Sequence, residues 1–201
     1  GRIKKASKQA QAAREAEAQT QEATDPLVKS AGQGDLERVQ HLIATGAKLT
    51  YRDETYDYSL AETAAYEAWQ TWAKDNRVED MGEIASGLDN PEGIYLTLKP
   101  IVQTIQFLTC ARLWDHAEHG ALASIKDWHE DMTKGTDKIL GVNINAANAQ
   151  GDTALGIAAK HGNEDKDIIG WLVTEGGASI THKNKEGKTA LETYQKSTGK
   201  Q

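Results

Sequence analysis

Histidines and acids cluster between residues 115 and 131, and these side chains have the clearest capacity for chemistry. Asp115, His116 and His119 fall within five residues, and positions three or four apart are neighbours on one helix face. His129 follows beside two further acids. Imidazole and carboxylate groups are ligands that zinc accepts. The spacing is compatible with a divalent-metal site, and a metal-dependent enzyme centred on residues 115–131 is one hypothesis for the chain.

A structural interpretation competes with that hypothesis. In the internal repeat described below, His116 falls where other units carry a small buried residue, whereas His119 falls on an exposed turn before Gly120. The two imidazoles would then point in different directions. We therefore predict no metal ligands and no cofactor. Stoichiometric zinc that is lost when both histidines are replaced would reverse that prediction.

Other signatures of catalysis are missing from the sequence. It contains no phosphate-binding loop, no dinucleotide-binding glycine pattern and no Cys-x-x-Cys pair, and no serine lies in a Gly-x-Ser-x-Gly context. The single cysteine, Cys110, has the apolar neighbours Phe107, Leu108 and Leu113, which favours a buried structural thiol. We predict that the chain is not an enzyme.

Charge and hydropathy limit the classes of partner. The 201 residues carry 30 acidic and 23 basic side chains, a net charge of −7. Duplex nucleic acid requires a basic face, so we predict no nucleic-acid partner. No apolar run approaches the roughly 20 residues of a membrane helix, and we expect membrane association only if an anchor precedes residue 1. A cytoplasmic location is favoured, and a periplasmic or secreted one follows if a signal precedes Gly1.

The first 24 residues differ from the rest of the chain. They are strong helix formers with almost no large apolar side chain, so residues 1–24 are predicted to be a solvated helix or a spacer. Asp25 and Pro26 then open the folded part, because Asp caps a helix well and Pro fits its first position. A further hypothesis, a membrane-tethered structural protein, would use residues 1–24 as its spacer.

A repeated pattern spans the C-terminal part. Residues 143–162 read NINAANAQGDTALGIAAKHG, a polar turn followed by Gly151, Thr153 and Leu155 at alternate positions. Glycine permits the tight turn, threonine caps the helix and leucine fills the core. Residues 184–191, NKEGKTAL, open another unit in the same way. This pattern resembles the ankyrin repeat, whose signature is a polar hairpin followed by G-x-T-P-L-H-x-A-A.

The same template extends to the N-terminal and middle parts. Pro26 and Leu27 occupy the T-P-L place, and Leu60 follows 33 residues later, which is the ankyrin period. Leu113 is the core residue of the middle unit, because the residues around Gly120 repeat the spacing of the first unit. Successive core leucines are separated by 33, 53, 42 and 36 residues, so the middle units are predicted to contain insertions.

The resemblance implies an all-α fold, an ankyrin-type α-solenoid of helix–turn–helix repeats with an enlarged helical middle section at about 66–109. Helical spacing after Pro100 predicts an elongated first helix in the third unit. We expect one repeat domain over residues 25–201. Its predicted units cover residues 25–53, 54–98 with the insertion, 99–145, 146–183 and a half-repeat cap at 184–196.

The resemblance also implies a function in protein–protein interaction. We predict a monomer that scaffolds or inhibits another protein, as an immunity protein, a chaperone or an effector adaptor would. In the family, partners contact the hairpin tips and the exposed positions of each first helix. By matching position, the predicted partner-binding residues are Tyr51, Asp53, Tyr56, Asp57, Tyr58, Glu62, Tyr66, Asp115, His119, Asn148, Gln150, Asp152, Lys160 and His161.

The second hairpin mixes tyrosines with acids and permits two interpretations. That composition is typical of an interface facing a basic partner. It is equally typical of a polar loop whose tyrosines pack locally. The first interpretation predicts that Tyr56→Ala combined with Tyr58→Ala abolishes partner binding without unfolding the stack.

Overall fold

The computed structural model describes residues 25–51, 58–76, 95–135, 140–161 and 166–199. Residues 1–24 and three predicted site residues, Asp53, Tyr56 and Asp57, lie outside these ranges. The described residues form helices and no strands, which confirms the all-α fold. In none of these ranges is a helix both long and apolar enough to cross a membrane. The helices are α1 Pro26–Gly32, α2 Leu36–Ala44, α3 Leu60–Asp75, α4 Tyr95–Glu118, α5 Leu122–Thr133, α6 Ala154–His161, α7 Lys166–Thr174 and α8 Ala190–Thr198.

The helices form two layers. In the first layer α1, α3, α4, α6 and α8 pack side by side in chain order. In the second layer α2, α5 and α7 fold back against α1, α4 and α6, respectively. Each helix pair therefore contacts its neighbours along one axis, which is the architecture of an α-solenoid.

Side-chain caps mark where the first-layer helices begin. Asp25, Ser59, Thr153 and Thr189 each accept a hydrogen bond from a backbone N–H in the first turn of the helix that follows. These bonds satisfy amides that have no partner within the helix. The four caps occupy one equivalent position, and they fix the register of the repeat.

That register corrects the predicted core position of the second unit. Leu27 and Leu155 are the second residues of α1 and α6, and both are buried. The second residue of α3 is Ala61, which is also buried, whereas Leu60 is only partly buried. The prediction of Leu60 is wrong by one position, because the Ser59 cap, rather than the 33-residue spacing, decides where the helix begins.

The last unit also departs from the prediction. Leu191 occupies the core position of α8, yet 63% of it is exposed. In the described part of the chain no second-layer helix folds back over α8. Without such a helix packed against it, Leu191 stays at the surface.

Helix α4 replaces a hairpin. It has 24 residues, whereas α6 has eight. The match of Leu113 with Leu155 places residues 101–110 where the fourth unit has its hairpin at 143–152, yet residues 101–110 are helical. The elongation was predicted to follow Pro100, but the helix begins at Tyr95 and Pro100 lies inside it.

Packing explains why the helix continues through proline. Leu98 and Val102 are buried against Trp69 and Trp72 of α3. Each fully buried apolar side chain contributes about 1.5–3 kcal/mol, which is comparable to the cost of a proline in a helix interior. Further along α4, apolar side chains join the core of the first two units, whose buried members include Leu27, Ala31, Val39, Ala61, Ala65, Ile105 and Leu108.

Candidate partner-binding surface

Hydrogen bonds join the hairpins of the fourth and fifth units. The Lys185 N–H donates to the Gln150 carbonyl at 3.0 Å. Asn184 Nδ2 donates to Asp152 Oδ1 at 2.9 Å. Gly151 has a positive φ of 79°, and a Cβ at this position would lie 2.9 Å from the Lys185 nitrogen. The two tips approach so closely that glycine is required between them, and together they form one continuous edge.

Asp152 lies beneath this edge and is only 2% exposed. Its carboxylate accepts hydrogen bonds from Lys160 Nζ and Asn184 Nδ2, and its backbone N–H donates to Asn148 Oδ1. The prediction that Asp152 contacts a partner is wrong, because its carboxylate is used to join two units. Lys160 remains half exposed, although its ammonium group is directed toward Asp152.

Asp152→Ala is expected to lower the free energy of unfolding by about 1.5–3 kcal/mol, the usual contribution of hydrogen bonds to a charged group. The substitution removes the acceptor of Lys160 and Asn184 at a buried site. Urea denaturation followed by circular dichroism measures the change. Glu186→Ala is the matched control, because Glu186 is exposed and, among the residues described, its carboxylate bonds to Lys188 alone. Equal stability of the two variants would contradict the structural role of Asp152.

Helix α4 holds both described tyrosines at the base of the second hairpin. Tyr51 Oη donates to Asp115 Oδ2 at 2.8 Å, and the Arg112 guanidinium lies 4.5 Å from the centre of the Tyr58 ring. Burial and the adjacent Asp115 carboxylate raise the pKa of Tyr51 well above its ordinary value. The structure supports the interpretation in which Tyr51 and Tyr58 pack locally. We expect Tyr58→Ala to destabilise the stack.

Glu62 is an interior residue with no exposed surface. Its Oε1 lies 3.1 Å from Arg112 Nε, and its Oε2 accepts a hydrogen bond from the Ser59 N–H. The prediction that Glu62 binds a partner is wrong, because the capping box turns its carboxylate back toward the start of α3, under α4. Tyr66 is partly buried and packs edge-on against Tyr58, with ring centres 5.6 Å apart.

The histidines of residues 115–131 lie in three separate environments. His116 is buried and stacks on the Tyr51 ring. His119 is exposed and bonds to the backbone of its own helix, and His129 packs edge-on against Trp171. Across the described residues, no three His, Cys, Asp or Glu side chains are grouped so that they could hold a metal ion. The geometry does not support the metal-site hypothesis.

A groove of about 980 Å³ lies between the first and fourth units. Its floor comes from α4 and includes Phe107, Ala111 and Trp114. One wall is formed by the end of α2 and the loop as far as Leu49, and the other by the fourth hairpin at 146–150. Phe107 and Cys110, which line the groove, belong to the part of α4 that stands where a regular stack carries its third hairpin.

The groove collects many of the predicted partner-binding residues. Asp115, Asn148, Gln150, Lys160 and His161 line it, and three of them are exposed. Exposed His119 is not part of the lining. Sequence reasoning missed the aromatic floor. The only signal for it was the 53-residue spacing between Leu60 and Leu113, which predicted an insertion but not a groove.

A comparison with known families gives the same architecture. Residues 113–173 match a family model described as ankyrin repeats (many copies). Residues 113–173 are ankyrin repeats, as the resemblance of the sequence predicted. No curated protein matches the chain. The matched range begins at Leu113, beyond the part of α4 that replaces the third hairpin. Ankyrin repeats are generally protein–protein interaction modules and typically lack enzymatic activity.

Proposed function

We propose that this ankyrin-repeat chain binds one partner protein along the groove and the adjoining fourth and fifth hairpins, and that it scaffolds or inhibits that partner. The main support is the coincidence of two features. The groove of about 980 Å³ is lined by residues that family position alone predicts to bind a partner. Its apolar floor and polar rim are the composition of a protein interface.

The hairpin edge is suited to binding because it is already ordered. The Lys185–Gln150 bond between units and the Asn148 side chain, which accepts from the Gln150 N–H at 2.9 Å, hold the tips in place. A surface ordered before binding loses less conformational entropy in the complex. This order supports a contact surface rather than a loosely tethered loop.

Stoichiometric occlusion is the mechanism that this surface can perform. An immunity protein, a chaperone or an effector adaptor would each use it without catalytic groups of its own. The partner's activity distinguishes among them. An immunity protein abolishes that activity in a one-to-one complex, a chaperone raises the yield of active partner, and an adaptor leaves the activity unchanged.

Charge reversal on the two helix layers tests the proposal. The partner is captured from native lysate on the wild-type chain and identified, and the Kd of the purified pair is then measured by calorimetry. Glu118→Lys, on the first-layer helix α4, is expected to weaken binding about tenfold or more. Asp127→Lys, the matched control on the second-layer helix α5, is expected to leave the Kd unchanged. Both positions are exposed.

Two outcomes would contradict the proposal. If Asp127→Lys weakens binding as much as Glu118→Lys, the effect comes from net charge rather than from the groove. If only Asp127→Lys weakens binding, the partner lies on the second layer. Circular dichroism of both variants excludes misfolding as the cause.

A further inference from the structure

The third unit lacks a hairpin, so the fourth hairpin has no preceding hairpin to pack against. Residues 101–110, which match the hairpin at 143–152, belong to the continuous helix α4. The fourth hairpin therefore faces the groove on one side and the fifth hairpin on the other. Its two sides are chemically different, because one is bonded to a neighbouring unit and the other borders open space.

The bonded side shows what the open side could bind. Lys185 N–H donates to the carbonyl of Gln150 in the preceding unit. Matching residues 184–189 with 148–153 makes Ala149 the counterpart of Lys185. Ala149 is exposed and lines the groove, and its N–H has no acceptor within the described part of the chain. An acceptor placed in the groove would continue the same ladder of backbone hydrogen bonds.

Charge indicates the nature of the segment that would supply this acceptor. Residues 25–118 contain sixteen acidic and eight basic residues, whereas residues 119–201 contain eleven and ten. The acidic half supplies the floor and one wall of the groove, including exposed Glu37 and Glu118. Lys48 and Lys160 also line the groove, but the ammonium group of Lys160 is paired with Asp152. A basic segment is therefore complementary to this surface.

We infer that the groove binds an extended, basic segment of the partner, which takes the place of the missing third hairpin. One of its backbone carbonyls accepts from the Ala149 N–H. An apolar side chain packs on Phe107 and Trp114, and a Lys or Arg lies beside Glu118. Side chains of an extended segment alternate between two faces, so apolar and basic residues alternate in it. The inference rests on the proposed function and specifies the conformation and charge of the partner at that site.

The test uses the full chain and a displayed library of random peptides of roughly 12 residues, which span about 40 Å when extended. Enriched peptides are synthesised and titrated against the ¹⁵N-labelled protein. We expect them to alternate apolar residues with Lys or Arg. Hydrogen exchange of the Ala149 amide is expected to slow about tenfold or more at saturation, because the amide becomes hydrogen bonded.

Two variants of one position isolate the backbone contact. Ala149 is the second residue of a β-turn closed by the Gly151 N–H on the Asn148 carbonyl at 2.9 Å, a position that favours proline. Ala149→Pro removes the N–H and is expected to raise the Kd of the peptides about tenfold. Ala149→Ser retains the N–H and should change that Kd less than about twofold. Glu118→Lys leaves the turn unaltered and is expected to raise the Kd of the basic peptides to a similar extent.

Three results would overturn the inference: no enrichment, enrichment of acidic peptides, or equal affinity of the enriched peptides for Ala149→Pro and Ala149→Ser. None of these alone removes the proposed function. That function stands if the captured partner remains sensitive to Glu118→Lys and insensitive to Asp127→Lys. The proposed function fails together with the inference only if Glu118→Lys also leaves the Kd of the captured partner unchanged.

Discussion

Glu62→Ala lowers the free energy of unfolding by about 3–5 kcal/mol, the range for a buried ion pair that loses one partner. Glu62 and Arg112 are 0% and 1% exposed, and Glu62 Oε1 lies 3.1 Å from Arg112 Nε. The substitution leaves the guanidinium buried without this carboxylate. It also removes the capping box that starts α3. Urea denaturation with linear extrapolation measures the loss.

Three further variants separate the contributions to this effect. Glu62→Gln retains the capping box, since glutamine also serves at that position. The free energy of unfolding that this variant loses therefore comes mainly from the charge pair. Glu62→Leu combined with Arg112→Met removes both charges and should recover much of the stability, as apolar replacement of buried ion pairs does. Glu67→Ala, at an exposed position of α3, is the control. If Glu62→Ala lowers the free energy of unfolding no more than Glu67→Ala does, α4 does not cover the face of α3 that carries Glu62.

Acidification from pH 6.5 to pH 4 destabilises the wild type by about 3 kcal/mol more than it destabilises His116→Ala. Burial lowers the pKa of His116 from 6.5 to about 4, and the charges of Arg112 and His119 act in the same direction. The unfolded chain takes up this proton near pH 6.5, whereas the folded chain resists it. The stability that neutral His116 provides is therefore complete above pH 6.5 and is lost as the pH falls toward 4.

Alanine is a suitable replacement because the repeat itself places Ala158 at the equivalent position of α6. Carboxylates that titrate in the same range are common to both proteins and cancel in the difference. Unfolding free energies are measured in urea at intervals between pH 7 and pH 4. Parallel pH profiles of wild type and His116→Ala would show that His116 is accessible to solvent protons in the folded chain.

Local chemistry explains which parts of the fold could be predicted from the sequence. Asp25 and Thr153 each cap the helix that follows, and Leu27 and Leu155 come two residues after them. These features depend on residues within one turn of each other, so they are visible in the sequence. They were sufficient to predict the all-α solenoid.

Long-range packing explains what could not be predicted. Glu62 occupies an exposed position by the family template, but its ion-pair partner Arg112 lies 50 residues later. Pro100 suggested the start of a helix, yet the packing of Leu98 on the α3 tryptophans extends the helix to Tyr95. The groove is defined only when the first and fourth units are brought together across α4, and no local pattern encodes that arrangement.

The helical conformation of residues 101–110 is the central claim, because the groove exists only if these residues form no hairpin. Backbone ¹³Cα chemical shifts of the labelled full chain test it directly. We predict an uninterrupted run of helical shifts through residues 101–118, with those of 101–110 as helical as those of Ala154–His161. Turn or extended shifts within 101–110 would restore a third hairpin, fill the groove and contradict the account.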